Sequence, residues 1–226
     1  MPKLPKLVRD LRYQLFYKLL LKRGFELVTL GDPGCGLQWT ICPTGLNAQS
    51  IVYSGGLGSD VSFEHALTRR TGCSIVMFDP SPAGVRTMAL PENRIPQFRF
   101  FPVALAGHSG KLKMAPPKPG EDSWRLPCGD DEALEVTCTD LESLMNQNND
   151  RQIDLLKIDI EGCEYEVIDH LLARRIPVRQ ICVEYHHGVL PGIRRSQTIR
   201  SMLKLVSKGY RLVCQDGANH TFILCR

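Results

Sequence analysis

The densest group of titratable side chains follows two apolar stretches in the second half of the chain. Residues 153–164 read IDLLKIDIEGCE, and residues 180–187 read QICVEYHH. The titratable side chains where these stretches end include Asp159, Glu161, Glu184 and His186. A histidine can accept a proton from a hydroxyl group at neutral pH, because its unperturbed pKa is about 6.5, and a neighbouring carboxylate would orient its ring. We therefore expect these four residues to be catalytic, with the base among Asp159, Glu184 and His186.

A glycine-rich turn follows an earlier apolar run. Residues 50–67 read SIVYSGGLGSDVSFEHAL and hold three glycines within four positions. Glycine is costly in backbone entropy, so its use here indicates a close approach to the main chain. The N–H groups of such a turn, at the start of a helix, can bind a polar ligand, and Asp60 can pair with a cationic group on it. The turn is thus a predicted cofactor site.

Asp79 follows the next apolar run, 21 residues after Gly58, where a carboxylate can accept hydrogen bonds from the hydroxyls of a ribose. Gly56 and Gly58 match two glycines of the dinucleotide fingerprint, but Val61 stands in place of the third. Both NAD and S-adenosylmethionine are compatible with this pattern. The acids around residue 159 suit a sulfonium and an amino group better than phosphates, which favours S-adenosylmethionine.

These residues require a scaffold that places the ends of several strands together. Apolar runs alternate with helical patterns, which predicts βαβ units and a mostly parallel sheet with helices on both faces. The predicted strands are 51–54, 74–78, 98–104, 153–158, 180–185, 210–214 and 221–225. The predicted helices are 60–71, 82–89, 139–148, 162–174 and 195–208. The last two strands follow each other as a hairpin, so the final strand should run antiparallel.

Two segments fall outside this alternation. Residues 113–135 are rich in Pro, Gly and acidic residues, which predicts a long surface loop. Trp124 in that loop either covers a ligand or only pins the loop to the domain. Residues 1–23 carry seven Lys and Arg residues against one Asp, so the basic character of the chain belongs to an N-terminal arm, which we place at 1–36. The arm reads as an amphipathic helix that lies on a membrane surface or a partner, or packs on the domain.

Composition sets the class of protein. With 226 residues, 43% hydrophobic content and a net charge of +4, the chain suits a single domain, and the charge is too small to predict nucleic-acid binding. The arm contains no run long enough to span a bilayer and no signal-peptide pattern. The nine cysteines form no C-x-x-C motif, and their odd number favours a reducing compartment. We expect a cytoplasmic protein, with peripheral membrane contact through the arm left open.

The motifs VYSGGLGSDVSFE, FDPSP, LLKIDIEGCEYEVI and ICVEYHH resemble the FkbM family of S-adenosylmethionine-dependent methyltransferases, over about residues 37–225. The resemblance implies an α/β, Rossmann-like class I methyltransferase domain over 37–226, with a mostly parallel seven-stranded sheet and a final antiparallel strand. It implies that the methionine portion of the cofactor is held by Ser54, Gly55, Gly56, Gly58, Ser59 and Asp60. Asp79 would bind the ribose, Pro80 and Ser81 would lie beside the adenine, and Ala104 would lie under it. Asp159 would complete the cofactor site.

One departure from the pattern concerns the position before the glycines. Methyltransferases often carry an acidic residue there, whereas this chain has Tyr53 and Ser54, so Asp60 is the expected substitute. The family implies O-methylation of a small molecule, glycan or lipid-linked acceptor. The spacing of donor residues does not demand a metal, and we expect none. A non-catalytic adenosyl-ligand-binding adaptor and an NAD-dependent oxidoreductase are the alternatives.

Overall fold

The computed structural model describes residues 6–34, 37–117, 124–129 and 132–225. The helices are α1 (Lys6–Leu20), α2 (Ser62–Thr71), α3 (Pro82–Ala89), α4 (Leu141–Asn148), α5 (Glu164–Arg174) and α6 (Arg195–Ser207), with a 3-10 turn over Pro91–Asn93. The strands are β1 (Val28–Leu30), β2 (Trp39–Ile41), β3 (Ile51–Gly55), β4 (Ser74–Phe78), β5 (Phe98–Phe101), β6 (Ala104–Leu105), β7 (Gly110–Met114), β8 (Leu134–Thr139), β9 (Ile153–Ile158), β10 (Val178–Glu184), β11 (Tyr210–Asp216) and β12 (Asn219–Leu224).

Seven of these strands form one sheet in the order β11-β12-β10-β9-β3-β4-β5. The pairs from β10 through β5 are parallel, and β12 runs antiparallel to both of its neighbours. The chain reverses direction in the strand order between β3 and β9, so a crevice opens beyond the carboxyl ends of these two strands. The predicted seven-stranded sheet with its antiparallel final strand is confirmed.

The central strands are apolar because both of their faces are covered. All six residues of β9 are buried. Neighbours along a strand point to opposite faces, so Leu156 belongs to the larger core cluster with Tyr53, while Leu155 belongs to the second cluster with Val52. This two-sided burial fixes the register of β3 against β9, in which Ser54 lies opposite Lys157.

The segment between β5 and α4 differs from the prediction. The strand expected to run to residue 104 ends at Phe101, and β6 pairs instead with β8 in a separate three-stranded sheet, in the order β6-β8-β7. The expected loop at 113–135 is shorter than predicted, because β7 and β8 reach into it from both sides and Ala115 bridges to Arg125. Residues 118–123 and 130–131 of that loop lie outside the described residues.

Helix α1 packs on the domain. Phe16, Tyr17 and Leu20 contact the larger core cluster, and the Tyr17 hydroxyl lies 2.6 Å from Nε2 of His220 in β12. The other side of the helix is exposed, including Leu15 and Leu19. Packing on the domain was one of the open alternatives for the arm, and the division at residues 36 and 37 stays a prediction. Within the described residues, no helix combines the length and apolarity needed to cross a membrane.

Candidate functional site

A cavity of about 350 Å³ opens at the carboxyl ends of β9, β3 and β4. Most of the predicted cofactor-binding residues line it, namely Gly56, Gly58, Ser59, Asp60, Asp79, Pro80, Ser81, Ala104 and Asp159. Ser54 and Gly55 do not line it, because both are buried beneath the turn. Their contact with a ligand stays a prediction.

Two glycines of the turn need glycine for different reasons. Gly56 has φ +78°, and a Cβ there would overlap the carbonyl oxygen of Asp159. Asp159 in turn donates its N–H to the carbonyl of Gly55 at 3.0 Å. The close approach inferred from the sequence is thus made by the chain's own backbone. Gly58 has φ +55° with open space at its Cβ position, so this glycine leaves room beside the cavity.

Asp79 holds the glycine turn in place. Its Oδ2 accepts hydrogen bonds from the N–H groups of Leu57 and Gly58, both at 2.8 Å, and its Oδ1 accepts one from Ser81 at 2.7 Å. The carboxylate packs so closely on α3 that a Cβ at Gly84 would overlap it. Asp79 still lines the cavity, and its contact with a ribose stays a prediction.

A buried carboxylate and a buried ammonium group face the cavity between the turn and β9. Glu64 in α2 is 2% exposed and accepts a hydrogen bond from the Ser54 hydroxyl at 2.5 Å. Lys157 is 4% exposed, donates to the carbonyl oxygens of Gly55 and Gly56, and lies over the Trp39 ring at 5.2 Å. Sequence reasoning missed Glu64, although it lies one helical turn beyond Asp60, where an acid can face the same cavity.

The opposite end of the cavity is apolar. Its lining there is Phe78, Ala104, Leu105, Leu112, Met114 and Trp124. Trp124 also packs against the cluster formed by Ala104, Ala106, Met114 and Cys138. Of the two alternatives for this residue, the structure shows a side chain that walls the cavity while it anchors the loop.

The predicted acidic and histidine residues come together around His186, which is 5% exposed. Its Nε2 lies 3.4 Å from Asp159 Oδ1 and 3.4 Å from Glu161 Oε2, and its Nδ1 lies 3.1 Å from Glu164 Oε1. Glu184 belongs to the same group, with a carboxylate oxygen within 4.8 Å of a carboxylate oxygen of Asp159 and of a ring nitrogen of His186. We call these five residues the acid–histidine cluster. Asp159 and Glu161 line the cavity directly, whereas Glu184 and His186 lie behind them.

Glu164 has a larger part than its sequence position suggested. An acid in the first turn of α5 is expected to do little more than interact with the helix dipole. Its two carboxylate oxygens accept hydrogen bonds from the N–H groups of Ile160 and Gly162, at 2.9 and 3.0 Å. They fix the turn that carries Glu161, whose φ of +52° is unusual for a residue other than glycine.

The charges of the cluster shift the pKa values of two of its members. Burial alone lowers the pKa of His186, but the carboxylates of Glu164, Glu161 and Asp159 outweigh it and raise the pKa to about 10. Burial, followed by the Asp159 carboxylate, raises the pKa of Glu184 to about 7. A raised pKa favours the protonated form of His186 at neutral pH, in which it cannot accept a proton. Which of Asp159, Glu184 and His186 is the base stays a prediction.

His187 differs from its neighbour. Its Nδ1 lies 2.9 Å from the Thr198 hydroxyl, and its Nε2 lies 3.3 Å from the Tyr13 hydroxyl of α1. Burial and the nearby Arg195 lower its pKa. The two consecutive histidines thus face different surroundings, and only His186 belongs to the cluster.

Two groups of side chains have donor atoms close enough to share a metal ion. One contains Asp140, Glu142 and His170, and the other contains Asp159, Glu184 and His186. His186 Nε2 in the second group also lies 3.4 Å from Asp159 Oδ1. That the site needs no metal stays a prediction. In the first group, Asp140 caps α4 by accepting from the Ser143 N–H at 2.9 Å.

Comparison with known proteins gives a family match and weaker similarities. The model of the Methyltransferase FkbM domain matches residues 51–212. The human protein described as probable methyltransferase-like protein 24 is 25% identical over 142 residues, which is 62% of this chain and 33% of that protein. This chain therefore spans about a third of the length of that relative.

Solved structures with a similar chain path have low sequence identity. The pre-rRNA processing protein fibrillarin of Methanococcus jannaschii has 8% identity and a TM-score of 0.43, over 79% of this chain and 67% of that one. The N-terminal domain of human METTL16 in complex with SAH has 10% identity and a TM-score of 0.40, over 97% and 82%. The fold assignment rests on the strand order of the seven-stranded sheet.

Proposed function

The chain belongs to the FkbM methyltransferase family, and we propose that it transfers the methyl group of S-adenosylmethionine to a hydroxyl oxygen. The observation that carries this proposal is the position of the acid–histidine cluster at one end of the cavity. Asp159 borders both the glycine turn, through its backbone, and His186, through its carboxylate. A ligand seated on the turn would thus have its reactive end beside a group that accepts protons.

The chemistry of the lining fits this cofactor. Bound S-adenosylmethionine would supply an electrophilic methyl group on a positively charged sulfur. The apolar end around Trp124 suits the adenine of the cofactor. The turn held by Asp79 suits the ribose and the methionine portion. Among the described residues that line the cavity, five are acidic (Asp60, Glu64, Asp79, Asp159 and Glu161) and only Lys157 is basic. This excess of negative charge favours a cationic ligand and disfavours the phosphates of NAD.

The cluster would handle the proton that leaves the acceptor. Burial and the Asp159 carboxylate raise the pKa of Glu184 to about 7, so Glu184 can take up one proton near neutral pH. His186 would keep Asp159 and Glu161 oriented by ion pairing and would stay charged throughout. Proton acceptance by a positioned carboxylate contributes typically about 10²–10⁴-fold to a rate.

The acceptor is a neutral or cationic molecule that carries a hydroxyl group. The acids at the mouth of the cavity would repel a phosphate or carboxylate close to the reacting oxygen. Small molecules, glycans and the glycan portion of lipid-linked products meet this requirement, whereas the backbone of a nucleic acid does not. The exposed Leu15 and Leu19 beside Lys18 on α1 are compatible with a lipid surface near the acceptor.

The test is transfer of a labelled methyl group to a panel of neutral sugars, glycolipids, phenols and carboxylic acids. Transfer to a hydroxyl, lost in Asp159→Asn, is the expected result. Transfer to a carboxylate or to an amine instead would contradict O-methylation. Binding of the cofactor without transfer to any member of the panel or to a whole-cell extract would favour the adaptor alternative. Failure of S-adenosylmethionine to bind would overturn the proposal.

A further inference from the structure

Glu64 and Lys157 are opposite charges that the fold buries without pairing. Each is at most 4% exposed, and both line the cavity. In the described part of the chain, neither forms an ion pair with another side chain. Their hydrogen-bond partners are neutral, namely the Ser54 hydroxyl for Glu64 and two carbonyl oxygens for Lys157.

Ser54 contacts Glu64 from the strand that leads into the glycine turn. It is fully buried at the end of β3, and its hydroxyl donates to Glu64 Oε1. The Glu64 carboxylate therefore reaches, from helix α2, the place where a carboxylate on the strand would project. A small hydroxyl residue at position 54 leaves the space that the longer side chain fills.

Asp60, the substitute expected from the sequence, is engaged elsewhere. Its Oδ1 accepts from the N–H of Ser62 at 3.0 Å, and its Oδ2 accepts from the Ser62 hydroxyl at 2.7 Å. These bonds make Asp60 part of the entry to α2. Glu64 accepts one bond on one oxygen, so its other oxygen can accept a bond from a ligand.

A buried charge without a charged partner destabilises the ligand-free fold, and it persists where a ligand supplies the partner. The two charges are opposite, and Ser54 connects them. Its hydroxyl binds Glu64, and in the register of β3 against β9 Ser54 lies opposite Lys157. We propose that Glu64 binds the α-ammonium group, and Lys157 the α-carboxylate, of the methionine moiety of the cofactor. This inference rests on the proposed function and assigns the ammonium contact to a helix residue in place of Asp60.

The experiment measures the affinity of S-adenosylhomocysteine and of 5′-methylthioadenosine, which lacks the amino-acid end, by calorimetric titration. The parent protein should bind the complete ligand more tightly. Glu64→Gln should lower the affinity for S-adenosylhomocysteine about 10- to 100-fold, as expected for the loss of a charged hydrogen bond. The affinity for methylthioadenosine should stay within about threefold of the parent value. Equal weakening of both ligands would overturn the proposal, because it would show that Glu64 only supports the turn.

Two matched variants separate Glu64 from its neighbours. Asp60→Asn should leave the ratio of the two affinities unchanged, and a larger loss of that ratio in Asp60→Asn than in Glu64→Gln would overturn the assignment. Lys157→Met should lower the preference of the protein for S-adenosylhomocysteine over its decarboxylated analogue by about tenfold or more. An unchanged preference would overturn the Lys157 part.

A comparison of ligands on the parent protein alone covers the case in which a variant does not fold. Replacement of the ammonium group of S-adenosylhomocysteine by hydrogen should lower the affinity of the ligand for the parent protein at least about tenfold. If the deaminated ligand binds equally well, the ammonium contact is wrong while the cofactor assignment stands. If methylthioadenosine and S-adenosylhomocysteine both fail to bind, the proposed function itself has failed.

Discussion

The two charged regions at the carboxyl ends of the strands differ in whether their charged side chains form ion pairs within the protein. At the glycine turn, Glu64 and Lys157 are buried and form hydrogen bonds only to neutral groups. In the acid–histidine cluster, His186 lies within 3.4 Å of carboxylate oxygens from Asp159, Glu161 and Glu164. The first region thus has no ion pair within 4.0 Å between described side chains, whereas the second has three around His186.

This difference separates a binding role from a positioning role. An unpaired buried charge costs stability that a ligand restores, so such residues report on ligand binding. A charge that is paired within the protein supports the fold and holds its neighbours in fixed geometry. Asp159 belongs to both regions, because its carbonyl packs on Gly56 and its carboxylate faces His186.

The largest expected effect comes from breaking the contact that joins the regions. In Gly56→Ala the new Cβ would overlap the carbonyl of Asp159, so either the turn or the end of β9 must move. We expect S-adenosylhomocysteine affinity to fall at least about a hundredfold, or about 2.7 kcal/mol. Gly58→Ala is the matched control: its φ is also positive, but its Cβ position is open, so only backbone strain of about 1–2 kcal/mol is expected. Equal losses in the two variants would show that φ alone matters.

The next effect sharpens the role of the cluster through the pH dependence of methyl transfer. The pKa of Glu184 is raised to about 7, so Glu184 is protonated below that pH and no longer accepts a proton. At saturating cofactor, the rate should rise up to about tenfold per unit on going from pH 5 to 7 and then level. It should fall again as the pH passes about 10, where His186 loses its charge. A profile that rises through pH 9 would indicate a different base.

A smaller effect concerns the apolar end of the cavity. The chain has two tryptophans, and both line the cavity, Trp39 beside Lys157 and Trp124 beside Ala104. Trp124→Leu should weaken both S-adenosylhomocysteine and methylthioadenosine, by about 3- to 10-fold, because stacking on a base contributes about 1–3 kcal/mol and leucine keeps part of the contact. Fluorescence of the parent and of Trp39→Phe should change on binding. Loss of affinity for only one of the two ligands would place the adenine elsewhere.

The sequence predicted the sheet well because the central strands are apolar on both faces. Runs such as IDLLKI are apolar at most positions, which predicts strands buried on both faces. Their register follows because each face packs into one of the two core clusters. The small sheet of β6, β7 and β8 was missed because its strands carry exposed lysines and glutamates and flank a segment rich in proline. An edge of that kind has no apolar periodicity to detect.

The sequence predicted which residues gather at the site better than what they do there. Strand ends of a parallel sheet meet on one side, which brought Asp159, Glu184 and His186 together correctly. The charge of His186 depends on three carboxylates at distances that no spacing encodes. Glu64 was missed because the packing of the whole helix α2 decides which of its residues face the cavity. One sign in the sequence was the lack of an acidic residue at position 54.

The most direct test of the contrast between the two regions compares the variants Glu64→Gln and His186→Gln at pH 6. For each variant, the free energy of unfolding and the affinity for S-adenosylhomocysteine are measured. The raised pKa of His186 means that its ion pairs contribute fully below its unfolded pKa of about 6.5, and that this contribution is lost as the pH rises through about 10. His186→Gln should therefore lower the free energy of urea unfolding by about 3 kcal/mol or more, and leave the affinity for S-adenosylhomocysteine within about threefold. Glu64→Gln should lose that affinity and keep or raise the unfolding free energy of the ligand-free protein. The opposite pattern, with Glu64→Gln unstable and His186→Gln unable to bind, would contradict the account.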